Sequence, residues 1–126
     1  MPEPVRILLV SPDLMVASRI AGLATSCGCT LDTVARLGAR PPETGYRVVI
    51  LDLHGLRGEP AELVKLAREC LAATGPTGGS SPAIVAFGPH VAADALAAAR
   101  AAGADDVVSR GELLGDFARV VGRHRG

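Results

Sequence analysis

Residues 47–53 read Arg-Val-Val-Ile-Leu-Asp-Leu, and this stretch decides the fold class. The run is apolar without alternation, which is typical of a central strand in a parallel sheet that is covered on both faces. It ends on an acid, Asp52, so the sequence predicts a carboxylate at the carboxyl end of a buried strand. In open parallel sheets ligands bind at that edge, and the loops that leave it are the place to look for function.

Strand and helix patterns alternate on both sides of this central strand. The other predicted strands lie at residues 5–10, 30–34, 83–87 and 106–109. The predicted helices run from Leu14 to a stop at Gly28, from Pro60 to about Thr74, and from about 91 to 102. A last amphipathic helix follows, with Leu113, Leu114, Phe117, Val120 and Val121 on its apolar face. Pro41 and Pro42 prevent a long regular helix between the second and third strands, so that helix is short or missing. The alternation predicts an α/β fold with a doubly wound parallel sheet.

The composition narrows the class of protein. A chain of 126 residues suits one domain, with a core at about 5–121 and no output domain after it. Thirteen basic residues balance thirteen acidic ones, and aromatic residues make up only 2%, which argues against nucleic acid as a partner. The longest aliphatic run near the N-terminus covers residues 7–10. That run is too short for a signal peptide or a membrane span, so we expect a cytoplasmic protein with no membrane partner.

The three cysteines do not define a site. Cys27, Cys29 and Cys70 are odd in number and lack a second pair at zinc-ligand spacing, so neither a disulfide framework nor a structural metal is indicated. We expect reduced, small buried residues, with Cys27 and Cys29 half-buried where a helix runs into a strand.

Three segments, at residues 7–10, 48–53 and 98–108, resemble in the right order the corresponding parts of response regulator receiver domains. The resemblance covers residues 5–121. It implies the flavodoxin-like (CheY-like) fold, a five-stranded parallel sheet in the order 2-1-3-4-5, with Asp52 at the position of the phosphoacceptor.

The resemblance also shows what this chain lacks. In receivers the aspartate attacks a phosphoryl group while two acids after the first strand hold a Mg²⁺ ion that neutralises the accumulating charge. Ser11 and Pro12 stand at those two positions, and Asp13 follows one residue later. Asp13 and Asp52 are then weak candidates for Mg²⁺ ligands, so we expect no metal and no cofactor, with Mg²⁺ needed only if the chain is phosphorylated.

The positions that sense the phosphoryl group in receivers are changed as well. Phe87 replaces the hydroxyl residue at the end of the fourth strand, and Val107 replaces the aromatic residue of the switch. Arg110 and Gly111 stand where receivers have lysine and proline; arginine keeps the charge with a different geometry. The chain resembles a degenerate receiver, or pseudo-receiver.

Two accounts of Asp52 follow from this pattern. We favour a structural one, in which Asp52 is a polar strand end bonded to nearby backbone amides, and Asp13 is the N-cap of the first helix. The chain is then a signalling module without enzymatic activity, which associates with another protein or with itself through residues 91–121. In the alternative, Asp52 still accepts a phosphoryl group in two-component signal transduction, with Arg110 and Asp13 as helpers.

A third hypothesis concerns the loops at the same edge of the sheet. Those loops also carry His54, Gly88 and His90, and the two histidines with Asp13 and Asp52 could form a site for a transition metal or a small ligand. No spacing fixes the histidines together, so surface positions are the simpler expectation.

Overall fold

A computed structural model describes residues 4–77 and 79–124. The strands are β1 (Arg6–Val10), β2 (Thr30–Val34), β3 (Val48–Asp52), β4 (Ala83–Gly88) and β5 (Asp106–Ser109). The helices are α1 (Leu14–Ser26), α2 (Pro60–Cys70), α3 (Ala93–Ala101), α4 (Arg110–Gly115) and α5 (Phe117–Gly122). Among the described residues no helix separates β2 from β3, which agrees with the prediction that this helix is short or missing.

The strands form one parallel sheet in the order β2-β1-β3-β4-β5, which confirms the predicted fold class. All five residues of β3 are buried, as the unbroken apolar run requires. Helices α1, α4 and α5 pack on one face of the sheet through Val16, Ile20 and Phe117 among others. Helices α2 and α3 pack on the other face together with Tyr46, which precedes β3.

The helix boundaries show why local signals succeed or fail. Asp13 caps α1, because its Oδ1 accepts hydrogen bonds from the amides of Met15 and Val16 at 2.9 and 3.2 Å, as predicted. Gly28 follows α1 with φ +72°, a backbone conformation that suits glycine. Pro60 is the first residue of α2, also as predicted.

The ends of two predicted helices shift by a few residues in the structure, and the last predicted helix is divided in two. Helix α2 ends at Cys70, and the chain then turns, with the Thr74 hydroxyl donating to the Leu71 carbonyl at 2.8 Å. Helix α3 begins at Ala93, because a turn precedes it in which the Ala92 amide donates to the Pro89 carbonyl at 2.9 Å. The last helix is split into α4 and α5 by Asp116, whose φ of −144° and ψ of 43° leave the helical region.

The spacing of apolar residues in the sequence predicts that Leu14, Leu66 and Cys70 lie on buried helix faces, but all three are exposed. Leu14 is 85% exposed and Leu66 is 42% exposed, and Cys70 is also exposed. Leu14 is the first residue of α1 and Cys70 is the last residue of α2, so both lie at helix ends. Cys27 and Cys29 are half-buried, as expected. None of the described helices is long and apolar enough to cross a membrane.

Candidate functional site

The register of the sheet brings Asp52 and Ser11 together. Val10 pairs with Leu51 at the ends of β1 and β3, so the next residue of each strand, Ser11 and Asp52, emerges at the same edge. Both side chains are buried; Ser11 is 4% exposed and Asp52 is 2% exposed. The carboxyl group at the end of the central strand is therefore shielded from solvent.

Both oxygens of Asp52 are engaged in hydrogen bonds. The Ser11 hydroxyl donates to Asp52 Oδ2 at 2.7 Å, and the amides of His54 and Gly55 donate to Oδ1 at 3.1 and 2.9 Å. The Ser11 oxygen in turn accepts from the amide of Asp13 at 3.1 Å. This network matches the structural account of Asp52, a strand end bonded to backbone amides, and Ser11 adds a hydroxyl donor that the sequence did not indicate.

The loop after β3 closes over the carboxyl group. A Cβ added to Gly55 would collide with Asp52 Oδ2 and would lie 3.2 Å from Cδ of Pro12. Only a residue without a side chain allows the backbone to approach so closely. Gly55 thus lies directly against the Asp52 carboxyl group, with Pro12 beside the glycine, and Asp52 is 2% exposed.

Phe87 and Gly88 stand at the end of β4 beside this network. Phe87 pairs with Asp52 in the register, but its side chain is 2% exposed and belongs to the core under α1, α4 and α5. Gly88 is buried, and its Cα side faces Leu96 of α3. Neither residue brings a polar side chain to Asp52.

These residues do not fit a Mg²⁺ site. Mg²⁺ prefers an octahedral shell of oxygens from carboxylates and water. The Asp52 carboxylate is covered and hydrogen-bonded, Asp13 Oδ1 caps α1, and Ser11 and Pro12 supply no further carboxylate. Within residues 4–77 and 79–124, no three His, Cys, Asp or Glu side chains are grouped so that they could hold a metal ion. His54 is exposed beside this network, with only its amide bonded to Asp52.

His90 and Arg110 lie apart from Asp52, in a cleft of about 480 Å³ between α1, the β4–α3 connection and α4. The residues that line it are Arg19, Pro89, His90, Arg110, Gly111, Leu114 and Gly115. Arg19, which the sequence did not single out, thus joins two predicted site residues. The structure divides the predicted edge site into a sealed part at Asp52 and an open part at His90 and Arg110.

A second polar pair joins the buried Tyr46 to the half-buried Asp32 of β2. The Tyr46 hydroxyl donates to Oδ2 of Asp32 at 2.8 Å and accepts from the Glu43 amide at 3.2 Å. Burial, and then the hydrogen bond to Asp32, raise the pKa of the Tyr46 phenol well above its usual range. This pair fastens the irregular segment between β2 and β3 to β2, in the place of the missing helix.

Solved structures with the same fold include several response regulators. An orphan response regulator of H. pylori aligns with a TM-score of 0.68 and 16% identity, over 99% of this chain and 100% of that one. A chemotaxis response regulator of Vibrio cholerae aligns with a TM-score of 0.70 and 15% identity, over 95% of this chain and 98% of that one. A response regulator from Thermotoga maritima aligns with a TM-score of 0.68 and 13% identity, over 95% of this chain and 96% of that one.

No protein-family model and no curated protein matches the sequence. At 13–16% identity the structural likeness establishes the fold, which is the fold of receiver domains. The residues around Asp52 differ from those expected of a phosphorylatable receiver, and a shared fold does not imply a shared function.

Proposed function

We propose that this chain is a degenerate member of the receiver family, a signalling module that acts by protein association and without phosphoryl transfer. The observation that carries the proposal is the Asp52 carboxylate, with both oxygens hydrogen-bonded and 2% of the residue exposed. The receiver fold supports a role in signalling, and the burial of the Asp52 carboxylate argues against its phosphorylation.

Phosphoryl transfer to Asp52 needs an approach that the site does not offer. A carboxylate oxygen must face the phosphorus in line with the leaving group, and the negative charge of the transition state must be neutralised. The Ser11 hydroxyl occupies Oδ2, and the amides of His54 and Gly55 occupy Oδ1. Opening the site would break bonds to a buried carboxylate, each worth about 1.5–3 kcal/mol.

The groups that would neutralise the negative charge of the transition state are also missing around Asp52. The positions of the two metal-binding acids are Ser11 and Pro12, and Phe87 stands where a hydroxyl group would contact the phosphoryl oxygen. Arg110, the one remaining cation of the set, lines the separate cleft with His90. We therefore infer that Asp52 is structural and that the module is not an enzyme.

Residues 91–121 are the proposed association surface, for another protein or a second copy. All nine residues of α3 are described, and Ala99 alone of them is buried. Val91, just before α3, is 80% exposed, and Ala93, Ala97 and Ala101 are exposed at i, i+4 spacing. An apolar residue beside small side chains would let a partner approach the helix backbone closely.

Treatment with acetyl phosphate and Mg²⁺, followed by intact mass spectrometry, tests the inert site. We expect no added phosphoryl mass under conditions in which a phosphorylatable receiver, treated in parallel, is modified. An added mass in this chain that is absent from Asp52→Asn would overturn the proposal.

Sedimentation velocity and affinity capture from the native cells test association. We expect self-association or a specific partner that is lost in Val91→Glu and Ala97→Glu and retained in Ala21→Glu. Ala21 is an exposed residue of α1, outside the proposed surface, and is a matched control for introducing a charge on a helix. A monomer without a partner, or equal loss in all three variants, would contradict the surface assignment.

A further inference from the structure

The cleft between α1 and α4 concentrates positive charge in a protein whose formal net charge is zero. Three of its seven lining residues, Arg19, His90 and Arg110, are basic, and none is acidic. They come from three separate elements, α1, the β4–α3 connection and α4. Their convergence is a product of the tertiary fold and not of a charged run in the sequence.

The two guanidinium groups in the cleft are available to a ligand. Over residues 4–77 and 79–124, neither Arg19 nor Arg110 has a side-chain hydrogen bond or ion pair. Glu112, the acid nearest to Arg110 in sequence, pairs instead with Arg123 at 3.4 Å and Arg119 at 3.9 Å. Arginine side chains with unused donors on one concave surface are the arrangement that recognises phosphate, because the planar group offers two parallel N–H bonds.

The size and the walls of the cleft indicate more than a free inorganic ion. Its volume of about 480 Å³ falls in the range of small-molecule sites. Pro89 and Leu114 provide apolar wall, while Gly111 and Gly115 leave space on the α4 side. We propose that this cleft binds a small phosphate ester, with the phosphate on Arg19 and Arg110 and the organic part against Pro89 and Leu114.

This site is independent of the phosphoacceptor position. Asp52, Ser11 and His54 are absent from the residues that line the cleft, and Asp52 is sealed from solvent. A bound phosphate ester would contact α1 and α4 at the same time and so would couple the two helices. The proposal goes beyond protein association: it adds a small-molecule input to the module, and either one can hold if the other fails.

Isothermal titration calorimetry with three probes tests the ligand class. Adenosine monophosphate carries both parts of the proposed ligand, inorganic phosphate carries the anion alone, and adenosine carries the organic part alone. We expect saturable binding of adenosine monophosphate, weaker binding of phosphate, and none of adenosine. Equal binding of phosphate and adenosine monophosphate, or no binding of either at millimolar concentration, would overturn the assignment.

Matched arginine variants test the location. Arg110→Gln and Arg19→Gln should each weaken the binding of adenosine monophosphate by at least about tenfold, because each removes a charge-assisted bond to phosphate. Arg40→Gln is the control, since Arg40 is exposed and lies outside the cleft. Circular dichroism checks that all three variants fold. Unchanged affinity in Arg19→Gln and Arg110→Gln, or an equal loss in Arg40→Gln, would place the site elsewhere and contradict the proposal.

Discussion

Replacing Ser11 by alanine should destabilise the protein, because it removes the hydroxyl that donates to the buried carboxylate of Asp52. The bond is 2.7 Å long, and Ser11 and Asp52 are 4% and 2% exposed, so water cannot readily take the place of the hydroxyl. A hydrogen bond to a charged group contributes about 1.5–3 kcal/mol, and we expect a loss of about 2 kcal/mol in the free energy of unfolding. The amide of Asp13 also loses its acceptor, which adds to the effect.

Urea denaturation followed by circular dichroism measures this loss. With a slope of about 1.5 kcal/mol per molar urea, a loss of about 2 kcal/mol lowers the midpoint by about 1.3 M without changing the slope. Ser81→Ala is the matched control, because the Ser81 hydroxyl donates to the Ala72 carbonyl at 2.9 Å on the exposed surface. Its effect should stay within about 0.5 kcal/mol. Equal midpoints for the Ser11 and Ser81 variants would refute the view that Ser11 holds Asp52 in a buried network.

Two further predictions concern the cover of Asp52 and the buried phenol. Gly55→Ala should lower the free energy of unfolding by about 2 kcal/mol or more in the same urea assay, since the added Cβ would collide with Asp52. Gly22→Ala in α1 is the control: nothing lies within 4 Å of the added carbon, so the free energy of unfolding should rise by about 0.5–1 kcal/mol. Similar effects for both variants would contradict the close approach of Gly55 to Asp52. Tyr46 is the only tyrosine, and there is no tryptophan, so absorbance near 295 nm reports its ionisation directly. The pKa of Tyr46 is raised in the folded state. Its contribution to the free energy of unfolding is therefore complete below the pKa of tyrosine in the unfolded chain, about 10, and is lost as pH rises above that value, by up to about 1.4 kcal/mol per pH unit. Phenolate absorbance should therefore appear together with unfolding, and Tyr46→Phe should remove this alkaline slope; ionisation of the folded protein near pH 10 would contradict the buried bond to Asp32.

The fold could be predicted because its signals are local and strong. The unbroken apolar run of β3, the Asp13 cap, Pro60 at the start of α2 and the glycine after α1 each determine a short segment without reference to distant residues. The two prolines before β3 likewise excluded a long regular helix there. Where a boundary depends on one backbone conformation, as at Asp116 between α4 and α5, residue type alone does not reveal it.

The candidate site could be predicted only in part. The sequence placed Asp52, Ser11 and Pro12 at one edge, and strand register explains why they do meet there. It did not show that Gly55 folds back onto Asp52, because the path of that loop depends on how it packs beside Pro12 in the connection between β1 and α1. Arg19 was missed because its place beside Arg110 depends on how α1 packs against α4, which periodicity does not specify.

A magnesium titration of nitrogen-15 labelled protein, monitored at the amide signals of His54 and Gly55, tests the central claim most directly. These two amides donate to Asp52 Oδ1, so any ion bound by that carboxylate must perturb them. We expect that neither signal moves at millimolar Mg²⁺, because the Asp52 carboxylate binds no ion. Saturable shifts of both signals that disappear in Asp52→Asn would show a working metal site and would contradict this expectation.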